Sequence, residues 1–144
     1  MKIKIVSASL VLTFASLAAD TNNSVQPQSP SYTPAQIQRG QYLVERVGMC
    51  ADCHTPKTDA GVYDRSQWLL GDVVDFKPVQ PRPFAVVAPM IAGLPNFPTD
   101  GQALKFFETG TNELGKLALA PMPQFRLNQE DATAVVAYLR SFKH

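Results

Sequence analysis

Five consecutive residues, Cys50-Ala51-Asp52-Cys53-His54, limit what this chain can fold into more than any other stretch. Cys-x-x-Cys-His is the attachment signature of a c-type haem: two thiols add to the porphyrin vinyl groups, and the adjacent imidazole reaches the iron. The two-residue gap matches the spacing of the vinyl groups, and His54 supplies the proximal nitrogen. The chain has 144 residues, one domain's worth. In a domain that small a bulky apolar group forms much of the core, so the fold has to be wrapped around it. Two other readings use the same residues. A thioredoxin-like redox Cys-x-x-Cys opens a helix after a strand in a βαβ setting, and no strand pattern precedes Cys50. A structural zinc needs four ligands, and besides the two cysteines the chain offers only His54 and His144.

Charge is nearly balanced: without Lys2 and Lys4, eleven Lys plus Arg face twelve Asp plus Glu. There is no basic run and no Lys/Arg stripe with interleaved aromatics, so nucleic acid is not an expected partner. Lys2 and Lys4, the apolar run over 5–17 and the small residues of Ser16-Leu17-Ala18 predict a signal peptide over 1–19 and export to the periplasm. An uncleaved anchor is the alternative and the only route to a membrane; the apolar run is shorter than the roughly 20 residues of a spanning helix. Residues 20–33, rich in Asn, Ser, Gln, Pro and Thr, predict a disordered leader or tether. The haem domain is expected over 34–144.

Thr33-Pro34-Ala35-Gln36 opens a helix. Thr33 caps it, Pro34 sits where a missing N–H costs nothing, and Gln36 completes a capping box. Ile37, Gly40, Val44 and Val47 follow at helical spacing as one face, and Gly48 ends the helix just before the motif. Gly40 is costly inside a helix unless another backbone comes close, which predicts a second helix crossing there. The crossing partner is C-terminal: Asn128 caps a first turn holding Glu130 and Asp131, and Ala132, Val135, Val136 and Leu139 repeat at helical spacing. Tyr138 lies beside them, able to fill the notch at Gly40. A third helix is expected over 99–109, capped by Thr99, with Leu104, Phe106 and Phe107 as its apolar content and Gly110 as its end. Val73, Val74 and Phe76, or residues 85–88, are candidate short extended pieces. The prolines at 78, 81, 83, 89, 95 and 98 argue instead for a long loop wrapped around the haem.

With these pieces placed, the chain resembles the small monohaem cytochromes c of the class I type. The resemblance spans about 34–143. It rests on Cys50-Ala51-Asp52-Cys53-His54, on Pro121-Met122-Pro123 leading into Phe125-Arg126-Leu127-Asn128, and on Val135-Val136-Ala137-Tyr138-Leu139. The middle, 59–98, is longer and richer in proline than in the shortest members and looks like the haem domains found beside periplasmic dehydrogenases. The resemblance implies an all-α cytochrome c fold, with three to four helices around one covalent haem c and long proline-rich loops. It also implies that the terminal helices cross where Gly40 and Val44 meet Val135 and Tyr138.

The expected cofactor-binding residues are Cys50, Cys53, His54 and Met122, with His54 and Met122 on the iron. A thioether opposite the histidine favours ferrous iron and raises the potential. Met122 lies between two prolines shortly before the last helix, where the backbone is stiff, and the family's ligand occupies the same kind of position. Met90, in Ala88-Pro89-Met90-Ile91, and an open site are the alternatives. Met49 abuts Cys50 and is read as packing. Trp68 and Tyr63 are weighed as propionate partners against ordinary core packing, and Arg65, Arg82 and Arg126 against solvated surface charge. The second imidazole N–H is expected to find a loop carbonyl, with the loop at Pro56 as the candidate.

The expected function is one-electron transfer rather than catalysis. Partners are a donor and an acceptor redox protein, or a dehydrogenase to which this chain is the electron-transfer subunit. The alternative is a five-coordinate haem that binds a small gas or reduces peroxide. That would need a distal acid–base group, and His144 is the only free histidine.

Overall fold

The computed structural model describes residues 31–143. The expected signal peptide over 1–19, most of the 20–33 leader, and His144 lie outside the described residues. The Thr33 cap forms as expected: Thr33 Oγ1 accepts from the Gln36 N–H (3.2 Å), and Gln36 Oε1 accepts from the Thr33 N–H (2.9 Å). Helix α1 (Pro34–Tyr42) runs from it, then widens into a π-turn over Leu43–Val47, closed by the Gly48 N–H on the Leu43 carbonyl at 2.7 Å. The π-turn corrects the expected face. One extra residue per turn rotates everything beyond it, so Leu43 and Val44 are buried while Val47 is 57% exposed.

Helix α4 (Gln129–Arg140), capped by the Asn128 side chain on the Asp131 N–H, crosses α1 at Gly40. A Cβ there would fall on the Ala134 carbonyl oxygen and come within 2.7 Å of Tyr138 Cβ. The α4 backbone itself therefore fills the notch, together with the root of Tyr138. Burial of α4 is broader than an amphipathic stripe: Ala132 and every residue over 134–139 are buried. Its single hydroxyl there is satisfied, since Tyr138 Oη donates to Glu45 Oε1 at 2.6 Å. Each fully buried aliphatic side chain of this frame contributes about 1.5–3 kcal/mol.

Helix α3 (Asp100–Thr109) carries the expected capping box between Thr99 and Gln102 and ends at Gly110 in the left-handed region (φ 74°). Phe97, Phe106, Phe107 and Phe125 form a run of ring contacts with centroids 5.2, 5.5 and 6.4 Å apart. Asp100 and Arg140 tie α3 to the end of α4. Arg140 Nε donates to Asp100 Oδ1 (2.8 Å), Nη1 to the Gly93 and Leu94 carbonyls (2.7 and 3.2 Å), and Nη2 to the Phe97 carbonyl (2.6 Å). Asp100 Oδ2 accepts from Tyr32 Oη at 2.5 Å, so the start of the domain is fastened to the same clamp.

A short helix α2 (Ala51–His54) carries the motif. Strands β1 (Asp72–Val73) and β2 (Val87–Ala88) pair antiparallel, in register Asp72 to Ala88 and Val73 to Val87. Val74 N–H extends the ladder to the Val86 carbonyl (3.0 Å). The two candidate extended pieces are thus partners of one another. Pro78, Pro81 and Pro83 lie in the loop between them, where no ladder N–H is required. Phe76 and Phe84 close that loop in a T-shaped contact of 5.8 Å. The architecture is mostly helical, as expected, and among the described residues no helix is long and apolar enough to cross a membrane.

Candidate functional site

The helices leave one side of the core unclosed, and loops complete it around a cavity of about 540 Å³. That lies within the roughly 300–1,000 Å³ of ordinary ligand sites. Cys50, Cys53, His54 and Met122 all line it. So do Val74, Phe76, Ala85, Val87 and Ala88 of the β1–β2 flap, Leu94 and Phe97 of the clamped loop, and Phe106 and Phe125 of the aromatic run. Besides the cysteines and His54, its only polar side chains among the described residues are Asp52 and Asn96.

Cys50 caps α2 and His54 ends it, so one short turn sets all three motif side chains. His54 is 5% exposed, and its Nδ1 donates to the Pro89 carbonyl at 2.6 Å. A carbonyl can only accept, which fixes the proton on Nδ1 and leaves Nε2 with its lone pair. Burial holds His54 below its ordinary pKa, and the Pro89 hydrogen bond only partly offsets it. The expected acceptor near Pro56 is corrected: the Pro56 carbonyl instead takes the Asp64 N–H at 2.8 Å.

Gly71 brings the true acceptor into place. Its N–H donates to the His54 carbonyl (2.8 Å), and at φ +94° a Cβ would sit 2.7–2.9 Å from Ala88 O, Met90 N and Pro89 C. Only a glycine lets residues 88–90 lie this close. Buried Thr55 adds a brace, its Oγ1 accepting from the Leu69 N–H at 2.9 Å.

Burial pushes the Cys50 thiol up to about 11 and raises Cys53 as well, with Asp52 and Asp75 adding to the latter. A thiol–disulfide catalyst needs the opposite shift. The two cysteines are not joined to one another, and among the described residues no three His, Cys, Asp or Glu side chains converge as a metal site.

Met122 arrives on a tethered loop. Its N–H bonds the Leu119 carbonyl (3.1 Å), and the Ala120 carbonyl accepts from the Ala85 N–H (2.7 Å), joining this loop to the flap. Met90 lines the same cavity. Met49, read from sequence as packing, is instead 57% exposed at the rim, with φ 46°.

The lesser candidates lie elsewhere. Trp68 meets Tyr63 edge-on at 5.9 Å and carries the Arg65 guanidinium 4.0 Å above its ring. Tyr63 donates to the Asp52 carboxylate. Arg126 bonds the Thr109 carbonyl and Gln124, and Arg82 is exposed. None of these five side chains lines the cavity. Sequence reading missed Gly71, Pro89, Asp100 and Arg140. Only the glycine among them carries a local signal, since an isolated Gly marks a turn or a close backbone approach.

The site and frame together define a covalent-haem fold, and comparison with known proteins agrees. The cytochrome c family model matches residues 37–143, and the chain belongs to that family. Its members bind covalent haem c and use it for electron transfer. The chain is also similar to a protein described as diheme cytochrome c-type from Cereibacter sphaeroides, 53% identical over 34 residues. That match covers 24% of this chain and 12% of the relative, so the chain spans a small part of that protein's length. The residues present fit the group: two thiols and a neutral imidazole on one turn, facing an apolar cavity.

Proposed function

We propose that this chain is a one-electron carrier that would hold a single haem c through Cys50 and Cys53, with His54 and Met122 as the residues that would hold its iron. One observation carries the reading: these four side chains line one apolar cavity, and the Pro89 carbonyl already orients the imidazole. When bound, the group supplies Fe(II)/Fe(III) cycling. The chain's own residues do the rest. The Pro89 carbonyl keeps Nδ1 protonated and the ring oriented, and the apolar lining keeps water out, which tunes the potential. Met90 follows the residue that bonds His54, so its backbone belongs to the same wall. Met122 comes from a separate loop, tethered at Leu119 and through the Ala120–Ala85 bond, and would supply the second side chain that holds the iron.

A single Cys-x-x-Cys-His supports one haem on this chain. Donor and acceptor are redox proteins, with a dehydrogenase as one form of donor. Lys2, Lys4 and the apolar run over 5–17 support a periplasmic location. Among the described residues the cavity lining offers Asp52 and Asn96 as its only further polar side chains, and Asp52 is engaged by Tyr63, which favours a carrier over a peroxide-reducing site.

The test is the absorption spectrum of the holoprotein, oxidised and reduced, with and without carbon monoxide. A ferric sulfur-to-iron band and no carbon monoxide response are expected. Met122→Ala should abolish the band, admit carbon monoxide and lower the potential, while Met90→Ala leaves all three unchanged. The reverse pattern would assign the ligand to Met90, and gas binding by the unaltered protein would overturn the carrier reading.

A further inference from the structure

Two leucines of the cavity wall hold a backbone conformation that their side chains resist. Leu69 and Leu94 sit in the left-handed region, at φ 59° and 52°, and both are fully buried, at 0% and 1% exposure. In that region the Cβ crowds the following carbonyl oxygen, so a leucine stays there only where its surroundings fix the turn. Leu69 is fixed by its own backbone groups. Its N–H reaches Thr55 Oγ1, and its carbonyl accepts from the Ile91 and Ala92 N–H groups (3.0 and 3.2 Å). Leu94 is fixed differently. Gly93 before it is left-handed as well (φ 72°), and the backbone bonds of Leu94 itself are local, to Ile91 and Phe97. The remaining bonds come from the end of α4. The Leu139 carbonyl accepts from the Gly93 N–H at 2.8 Å, and the Arg140 guanidinium donates to the carbonyls of Gly93, Leu94 and Phe97. Asp100 aims that fork through Nε, and with the two side chains only 24% and 19% exposed the pair is shielded from water, where such bonds are stronger.

The turn belongs to the site. Leu94, Asn96 and Phe97 line the cavity, as do Met90 and Ile91 ahead of them, whereas Arg140 and Asp100 do not. We propose that Arg140 is a positioning residue for electron transfer: by holding Gly93 and Leu94 in their left-handed turn, it keeps Leu94 and Phe97 closed on the haem cavity and limits the water that reaches it. This rests on the carrier reading above and deepens it. Ferric iron carries one more positive charge than ferrous iron, and water stabilises the more highly charged state. A closed wall therefore raises the potential, and a loosened one lowers it.

The experiment measures, on the holoprotein, the midpoint potential by spectroelectrochemistry and amide exchange at residues 93, 94 and 97. Arg140→Lys keeps the charge but replaces the planar fork with a compact ammonium. The potential should fall, and exchange at the three amides should rise roughly tenfold. Asp100→Asn leaves the fork without its anchor. Loss of a negative charge would by itself raise the potential, whereas a loosened turn lowers it, and a fall is expected. Val136→Ala is the control: fully buried on α4 and absent from the cavity lining, it weakens the frame and should leave both readings unchanged. An unchanged potential in Arg140→Lys, or a rise or no change in Asp100→Asn, would overturn the proposal. A fall of equal size in Val136→Ala would make general loosening the cause and overturn it too. If Arg140→Lys yields no folded holoprotein, the sign of the Asp100→Asn shift decides alone. In each of these results the unaltered protein keeps a reversible one-electron wave; if it lacks that wave or binds carbon monoxide, the carrier reading falls and the proposal with it.

Discussion

The helical frame and the loop-built wall of the cavity are held together differently. In the frame, α1, α3 and α4 bury a continuous set of aliphatic and aromatic side chains, and the closest approach is backbone against backbone at Gly40. In the wall, Leu69, Ala92 and Leu94 join that core, but residues 70–91 and 118–125 bury little and are held by discrete hydrogen bonds, Pro89 to His54, Gly71 to His54 and Ala85 to Ala120, while Arg140 holds the three carbonyls at 93, 94 and 97. Packing is cooperative and tolerates small losses, whereas a wall of single bonds can be shifted by one. The frame therefore governs stability, and the wall governs what the cavity does to its contents.

The largest expected effect breaks the frame. Gly40→Ala puts a Cβ on the Ala134 carbonyl and should cost about 3 kcal/mol in denaturant unfolding, with little change in the potential of the molecules that remain folded. A mild loss would mean that α1 slides past α4 more freely than the crossing implies. Next is Arg140→Gln, which joins the two regions. It leaves Asp100 and the carbonyls of Gly93, Leu94 and Phe97 short of a donor, and should cost about 2–3 kcal/mol while speeding amide exchange over 93–97. Exchange unchanged in that loop would show that Arg140 serves the frame alone.

Gly71→Ala then addresses the wall. It should cost about 1–2 kcal/mol, because an L side chain resists a positive φ, and it should push residues 88–90 away from His54. A weaker acceptor makes the imidazole a poorer donor to iron, so the potential should rise; an unmoved potential would detach Pro89 from any tuning role.

The smallest effect is Tyr138→Phe, about 1 kcal/mol at neutral pH. Burial and the Glu45 hydrogen bond push Tyr138 up to about 12, above the ordinary value near 10. The folded state thus holds the proton more tightly than the unfolded one. The stabilisation is complete below pH about 10 and is lost as pH rises toward 12. Unfolding followed across that window should show a shallower alkaline decline in the Phe variant, and identical slopes would deny the hydroxyl its buried role.

The same division separates what could be read in advance from what could not. Caps and periodicity are local, so Thr33 with Gln36, Thr99 with Gln102, Asn128 and the left-handed Gly110 were all legible as helix ends. Gly40 was legible as a crossing because glycine inside a helix is costly without a reason. The π-turn over Leu43–Val47 was not, since no residue type there signals an extra residue in the turn, and Val47 left the core as a result. The partner of His54 Nδ1 was sought two residues away and found at Pro89, because hydrogen bonds across a wall follow chain crossings that spacing does not encode.

Read alone, the chain determined its three principal helices and the family to which it belongs, a family that binds covalent haem c. Those depend on residue type and on spacings within a few turns, which sequence states directly. Tertiary structure decided which loops meet: that β1 pairs with β2, that Gly71 admits the Pro89 carbonyl, and that Arg140 and Asp100 fasten the wall to the frame. Each is a contact between distant segments, set by how the whole chain closes around a single cavity.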